Sequence, residues 1–252
     1  MSKNLSSIVT VLGVGTLGLL TLRRGSQYGQ GFLDVMGVKA LDRVPAFRRR
    51  TVDTLYIDGL FLTDRHINNP KANRSETLGD NLITFPNLEE IVIRNAIIKD
   101  LPTEIGMLTK LKKIVCKKCR IASIPESIGN LTNLEHLDLS DNNITSLPDS
   151  IGNLTELKLL DISKNKVSYI PESIGNLENL QHLDLGNNNL TNLPKRLADL
   201  QNIEGLFWIY GNNILKPSTT TLQYWAENMP EIMFRDIMMT IRNSSISELR
   251  RF

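Results

Sequence analysis

Residues 124–194 read "IPESIGNLTNLEHLDLSDNNITSLPDSIGNLTELKLLDISKNKVSYIPESIGNLENLQHLDLGNNNLTNLP", a text that repeats itself every 23 residues. A fixed short period is the mark of a chain built from stacked units rather than around one central core. The comb extends beyond the quotation in both directions. A leading apolar residue recurs at Leu88, Leu111, Leu134, Leu157, Leu180 and Ile203, followed three positions on by Ile91, Ile114, Leu137, Leu160 and Leu183. Two positions further stand Ile93, Cys116, Leu139, Ile162 and Leu185. Asn142, Asn165 and Asn188 hold the turn, and Pro102, Pro125, Pro148, Pro171 and Pro194 open the return segment. Ile105, Ile128, Ile151 and Ile174, each followed by glycine, close the coils, with Leu197 and Ala198 in the fifth.

In "LEHLDLS" apolar Leu137 and Leu139 alternate with polar neighbours, the period of a half-buried strand, so each unit contributes one short strand to a parallel sheet. One coil cannot bury its own comb, whereas stacked coils bury each other's. The prolines and polar spacing of the return arm oppose a long helix and predict irregular or 3₁₀ turns. Buried turn carbonyls and amides need partners, which the column of asparagines supplies. The pattern L-x-x-L-x-L-x-x-N-x-I-x-x-L-P-x-x-I-G-N-L, met almost letter for letter over residues 134–200, resembles the leucine-rich repeat family. The resemblance is to its 23-residue intracellular type, found in plant Ras-group repeat proteins, Ras-suppressor-like proteins and Scribble-like scaffolds. It implies an α/β repeat solenoid: a horseshoe with short parallel concave strands, a mostly irregular or 3₁₀ convex side and a C-terminal helical cap.

The flanks are less regular. "VDTLYIDGLFL" places Val52, Leu55, Ile57 and Leu62 at comb positions, yet 36 residues separate Val52 from Leu88, so residues 52–87 read as a degenerate first repeat with a loop inserted at 63–81. The repeats proper span residues 88–217. "LFWIYGNNILKP" carries one residue too many. Counted back from Asn212, Trp208 and Tyr210 face outward; counted forward from Ile203, Trp208 is buried. In residues 218–252, Pro230 suits a first helical position, and Met233, Phe234, Ile237, Met238 and Ile241 share one apolar face, expected to lid the last coil or to form an adaptable partner groove.

Residues 5–22 contain no charge and would reach about 27 Å as a helix, so residues 1–30 are expected to form an apolar N-terminal helix, with residues 31–51 as a basic linker or N-cap. That helix suits a membrane anchor, a buried cap or a targeting segment. The excess of basic residues after it would place the repeats on the cytosolic side of a membrane. Gly13, Gly15 and Gly18 spell G-x-G-x-x-G, but no run of βαβ units follows, so a nucleotide-binding enzyme does not fit and no cofactor is expected. Of seven glycosylation sequons, four are generated by the repeat pattern itself and say little about compartment.

The chain has 252 residues, 41% of them apolar, with 29 Lys and Arg against 27 Asp and Glu. That near-balance offers no field for nucleic acid. Cys116 and Cys119 are too few for a disulfide scaffold and occupy a core slot and the Asn slot, so both are expected to be structural rather than a redox pair or part of a zinc site.

With the strands aligned, one outward column reads Val92, Val115, Asp138, Asp161, Asp184. The concave face should be basic at its N-terminal coils, through Arg94, Lys113, Lys117 and Lys118, and acidic in the middle. His136 and His182, two strands or about 9.6 Å apart, stand too far apart to ligate one metal together. Together with Trp208 and Tyr210 these residues form the expected protein-binding surface. No catalytic signature accompanies them. The expected function is therefore non-catalytic protein–protein interaction, Ras-like small GTPases being one partner class the resemblance implies. The alternative is a structural part of a larger membrane or viral assembly, with residues 5–22 making membrane contact.

Overall fold

A computed structural model describes residues 9–11, 20–23, 32–35, 53–58, 78, 82–96, 98–204, 207–215 and 217–249, with side chains at 53–56, 78, 82–96, 98–204, 207–215 and 217–242. Its ten strands form one sheet in sequence order, β1 to β10. β1 (Val9–Val11), β2 (Leu20–Arg23) and β3 (Phe32–Val35) pair antiparallel. From β3 onward every pairing is parallel, through β4 (Thr54–Asp58), β5 (Glu90–Arg94), β6 (Lys113–Lys117), β7 (His136–Asp138), β8 (Leu159–Asp161), β9 (His182–Asp184) and β10 (Phe207–Trp208).

The register follows the sequence comb. Ile91, Ile114, Leu137, Leu160 and Leu183 lie side by side on successive strands, and all are buried. The 36-residue interval also survives, because Leu55 pairs with Ile91 and Ile57 with Ile93. Within the loop at 63–81 only Leu78 is described, and it is buried in the core.

The return arms are 3₁₀ turns at Thr103–Met107, Glu126–Asn130, Asp149–Asn153, Glu172–Asn176 and Lys195–Asp199. Each is entered from a proline in extended conformation, where a missing N–H costs nothing. The asparagines tie one coil to the next. Asn165 accepts a bond from Ile144 N at 2.9 Å and donates from Nδ2 to the carbonyls of Leu139 and Ile162, both at 3.0 Å. In the coil where Cys119 replaces asparagine, its Sγ donates to Lys117 O at 3.2 Å and Ile93 O at 3.5 Å, a weaker version of the same clamp.

The N-terminal expectation needs correction. Val9–Val11 and Leu20–Arg23, inside the stretch expected to be one apolar helix, are strands, and Phe32–Val35 in the expected linker is a third. The run "SSIVTV" is rich in β-branched residues, and the glycines after it each cost about 1 kcal/mol in a helix interior, so the local preference is for strand. Tertiary demand agrees: β4 would otherwise be an open parallel edge, and the meander covers it. The continuous helix on which a membrane-spanning reading rested is therefore not formed, and among the described residues no helix is long and apolar enough to cross a membrane. Gly13, Gly15 and Gly18 lie outside the described residues.

At the other end, α1 (Thr219–Asn228) and α2 (Glu231–Leu249) close the last coil. Ser218 caps α1 by accepting from Thr221 N at 3.1 Å. Met233, Ile237 and Ile241 are buried and Phe234 packs against the core, whereas Met238 is partly exposed. The centre of the lid is Trp225, fully buried, with Nε1 donating to Lys195 O at 3.1 Å.

Candidate functional site

The side chains between the buried leucines of each strand emerge on the concave face, and the pairing fixes their columns. Val92, Val115, Asp138, Asp161, Asp184 and Trp208 form one row across six strands. Beside it runs Glu90, Lys113, His136, Leu159 and His182. The extra residue near the end is absorbed between Ile203 and Phe207, both buried, so β10 pairs with β9 at a spacing of 24 and Trp208 falls opposite Asp184. This settles the register the sequence left open: Trp208 is 42% exposed and Tyr210 51%, while Phe207 and Ile209 are buried. The two outward rings meet edge to face with centroids 6.2 Å apart.

A shallow depression of about 300 Å³ gathers Lys117, His136, Asp138, Asp161, His182, Asp184 and Trp208 over a floor that includes Leu159. A second, of about 290 Å³, continues from it to Lys118, Lys164 and Tyr210. Nine of the eleven expected surface residues thus converge. Arg94 and Lys113 stand apart on the N-terminal coils, Lys113 paired with Glu90 at 3.4 Å. Leu159, Ser163 and Lys164 belong to the same surface but carried no sequence signal beyond their column.

The carboxylates are not equivalent. Asp138, 6% exposed, accepts from Ser140 Oγ at 2.7 Å and pairs with Lys117 Nζ at 2.8 Å. Asp161 accepts from Ser163 N at 2.9 Å and Oγ at 2.7 Å. Asp184 accepts from Gly186 N at 2.8 Å. Burial raises the Asp184 pKa, the bond from Gly186 opposes the rise, and the charges of Asp161 and Asp138 add to it. A carboxyl whose pKa is higher in the folded than the unfolded chain favours folding while protonated; its contribution is lost as pH rises through the folded value. At neutral pH the Asp184 charge is thus a cost to the solenoid. Burial also lowers the pKa of His136, only partly offset by Asp138, which keeps its imidazole neutral near pH 7.

Among the described residues, no group of three or more His, Cys, Asp and Glu side chains is placed to hold a metal. Cys116 and Cys119 are buried and not joined in a disulfide, and burial pushes the Cys116 thiol well above its usual value. Neither should react with a thiol-specific reagent in the native state within the time that both react in denaturant; rapid native labelling of two thiols would show a redox-competent pair instead.

A family model described as a leucine-rich repeat region matches residues 80–163 and 126–223. The chain belongs to the leucine-rich repeat family, whose fold typically mediates protein–protein interaction and is generally non-enzymatic. No curated protein matches the sequence. Among solved structures, a leucine-rich repeat protein of Leptospira interrogans is 24% identical with a TM-score of 0.54, over 77% of this chain and 57% of that one. The plant peptide hormone receptor RGFR1 in complex with RGF2 is 25% identical with a TM-score of 0.53, over 73% and 28%. An internalin from Listeria monocytogenes is 18% identical with a TM-score of 0.52, over 73% and 55%. The chain spans little more than half the length of the first of these structures and about a quarter of the receptor's.

Proposed function

We propose that this chain is a non-catalytic binding module that takes a protein partner on its concave face. The observation carrying the reading is the row Asp138, Asp161, Asp184 and Trp208, held in register on four adjacent strands beside Lys117. The concave residues present charge of both signs and exposed aromatic surface on a rigid sheet, which suits orientation of a partner segment. A plant peptide hormone receptor in complex with RGF2 among the similar structures supports a peptide or protein segment as the partner.

The 23-residue period and the 3₁₀ returns favour the intracellular repeat type, and that type is the support for placing the repeats in the cytosol. Small GTPases are one partner class for such repeats.

The test is affinity capture of the full chain with crosslinking, comparing wild type with Lys117→Glu and Asp138→Lys. Each reversal breaks the ion pair and inverts the local field, so recovery of a direct partner should fall about tenfold or more. Restoration in the double reversal would indicate that the ion pair itself matters. A partner recovered equally by all forms, with crosslinks on the convex side, would overturn the reading.

A further inference from the structure

The charge along the aspartate row is uneven. Lys117 neutralises Asp138, but among the described residues no lysine or arginine forms an ion pair with Asp161 or Asp184. Both carboxylates already sit on donors of their own turn, Ser163 and Gly186. Their shared negative charge therefore has its orientation fixed but, among the described residues, no ion pair. The floor beside them is Leu159, an apolar step between His136 and His182 in the neighbouring column. The C-terminal wall is the indole of Trp208, steadied by Tyr210 and open to solvent. An apolar floor, paired carboxylates and an aromatic wall match, in order, the methylene stem, the charge and the flat face of a long cationic side chain. The rim excludes a polybasic ligand, because Lys118 and Lys164 border the continuation of the same depression.

We infer that the depression bounded by Asp161, Asp184, Leu159 and Trp208 seats a single arginine or lysine side chain of an extended partner segment, flanked there by neutral or acidic residues. This rests on the concave-face reading above and names the chemistry that face selects. The charge of Asp184, raised in pKa by burial, burdens the free solenoid, and the incoming cation relieves it.

The experiment uses the full chain and two nonapeptides of glycine and serine with one glutamate, identical except for a central arginine in one and neutral, isosteric citrulline in the other. Binding is followed by chemical-shift titration. The arginine peptide should bind about tenfold tighter than the citrulline peptide. That preference should vanish in Asp184→Asn and fall about fivefold in Trp208→Ala. Asp184→Asn should melt at or above the wild-type temperature at pH 7, which separates loss of the seat from loss of the fold. Equal binding of the two peptides, or an arginine preference unchanged in both variants, overturns the inference.

Spermidine is the competing source of the same charge: if it binds tighter than the arginine peptide with the same dependence on Asp184, the occupant is a free polyamine and the partner-segment assignment falls. The two readings separate cleanly. Partner capture abolished by Lys117→Glu but indifferent to Asp184→Asn and Trp208→Ala would retain the concave face and remove the cationic seat, whereas a partner indifferent to all of these changes would remove the concave face itself.

Discussion

Asn165→Ala is expected to destabilise the protein by about 3 kcal/mol in urea unfolding, as much as truncating a buried leucine. Asn165 is buried, and its amide serves four backbone groups: it accepts from Ile144 N and donates to the carbonyls of Leu139, Ile162 and Ser163. Those groups belong to two neighbouring coils, at a turn where no strand partner is available. Alanine leaves Ile144 N without its acceptor, at about 1–3 kcal/mol before relaxation or entry of water, and takes one of two side-chain donors from each of the Leu139 and Ile162 carbonyls, which keep Asn142 and Asn188. Asn165→Asp should be no milder, because it keeps an acceptor, loses every donation from Nδ2 and places a charge in a dry site. The exposed Asn189, whose side-chain amide makes a long 3.4 Å contact to Lys166 O, provides the contrast: Asn189→Ala should change stability by less than about 0.5 kcal/mol. Because coils stabilise one another only through their interfaces, the Asn165 change should also broaden the transition as the halves of the stack uncouple. An Asn165→Ala protein as stable as wild type would show that the ladder is dispensable.

Gly152→Ala is the second large effect. A methyl group there would run into the Ser173 carbonyl oxygen and lie 2.7 Å from Ser173 Cβ, in the next coil. Both obstacles are main chain or rooted in it, so the coils must part to admit the new carbon. The expected loss is about 2–3 kcal/mol, the scale of overpacking in a close-packed interior. Gly186 offers the internal comparison. A methyl there would meet the Asp184 carboxylate at 3.0 Å and the Tyr210 ring at 3.2 Å, side chains that can move, and the equivalent places one and two coils earlier hold Ser163 and Ser140. Gly186→Ala should therefore cost less than about 1 kcal/mol by thermal denaturation. If the two alanine variants melt alike, close coil approach is not what the repeated glycine secures.

These two positions also show why so much of the fold was legible. Ile, Gly and Asn recur because every coil poses the same packing and hydrogen-bonding problem, and the repeat writes its solution several times over. The strands, their parallel order, the 3₁₀ returns and the buried comb could be placed from period alone. Where the problem is posed once, the signal thins. Residues 5–22 read as an apolar helix because their lack of charge was weighed above their β-branched and glycine content, and the need of β4 for a neighbour is invisible from the sequence. Trp225 carried no periodic mark, since plugging the last coil is a task without repetition.

The candidate site divides along the same line. The columns of the concave face follow from spacing, so the aspartate row and the nearby basic residues were named correctly as neighbours in the sheet. What spacing could not say is that Lys117 spends its charge on Asp138, leaving Asp161 and Asp184 without an ion pair among the described residues. Nor could it choose between two registers for Trp208, which differ by one residue and therefore by which face the indole occupies.

By itself, then, the sequence determined the solenoid, its period and the residues in each column, because stacking identical coils converts linear spacing directly into lateral contact. Only the tertiary structure decided how the stack is closed at its two ends, where the extra residue is absorbed before β10, and which carboxylates form no ion pair among the described residues. Those outcomes depend on groups far apart in the chain meeting once, and a single meeting leaves no period to read.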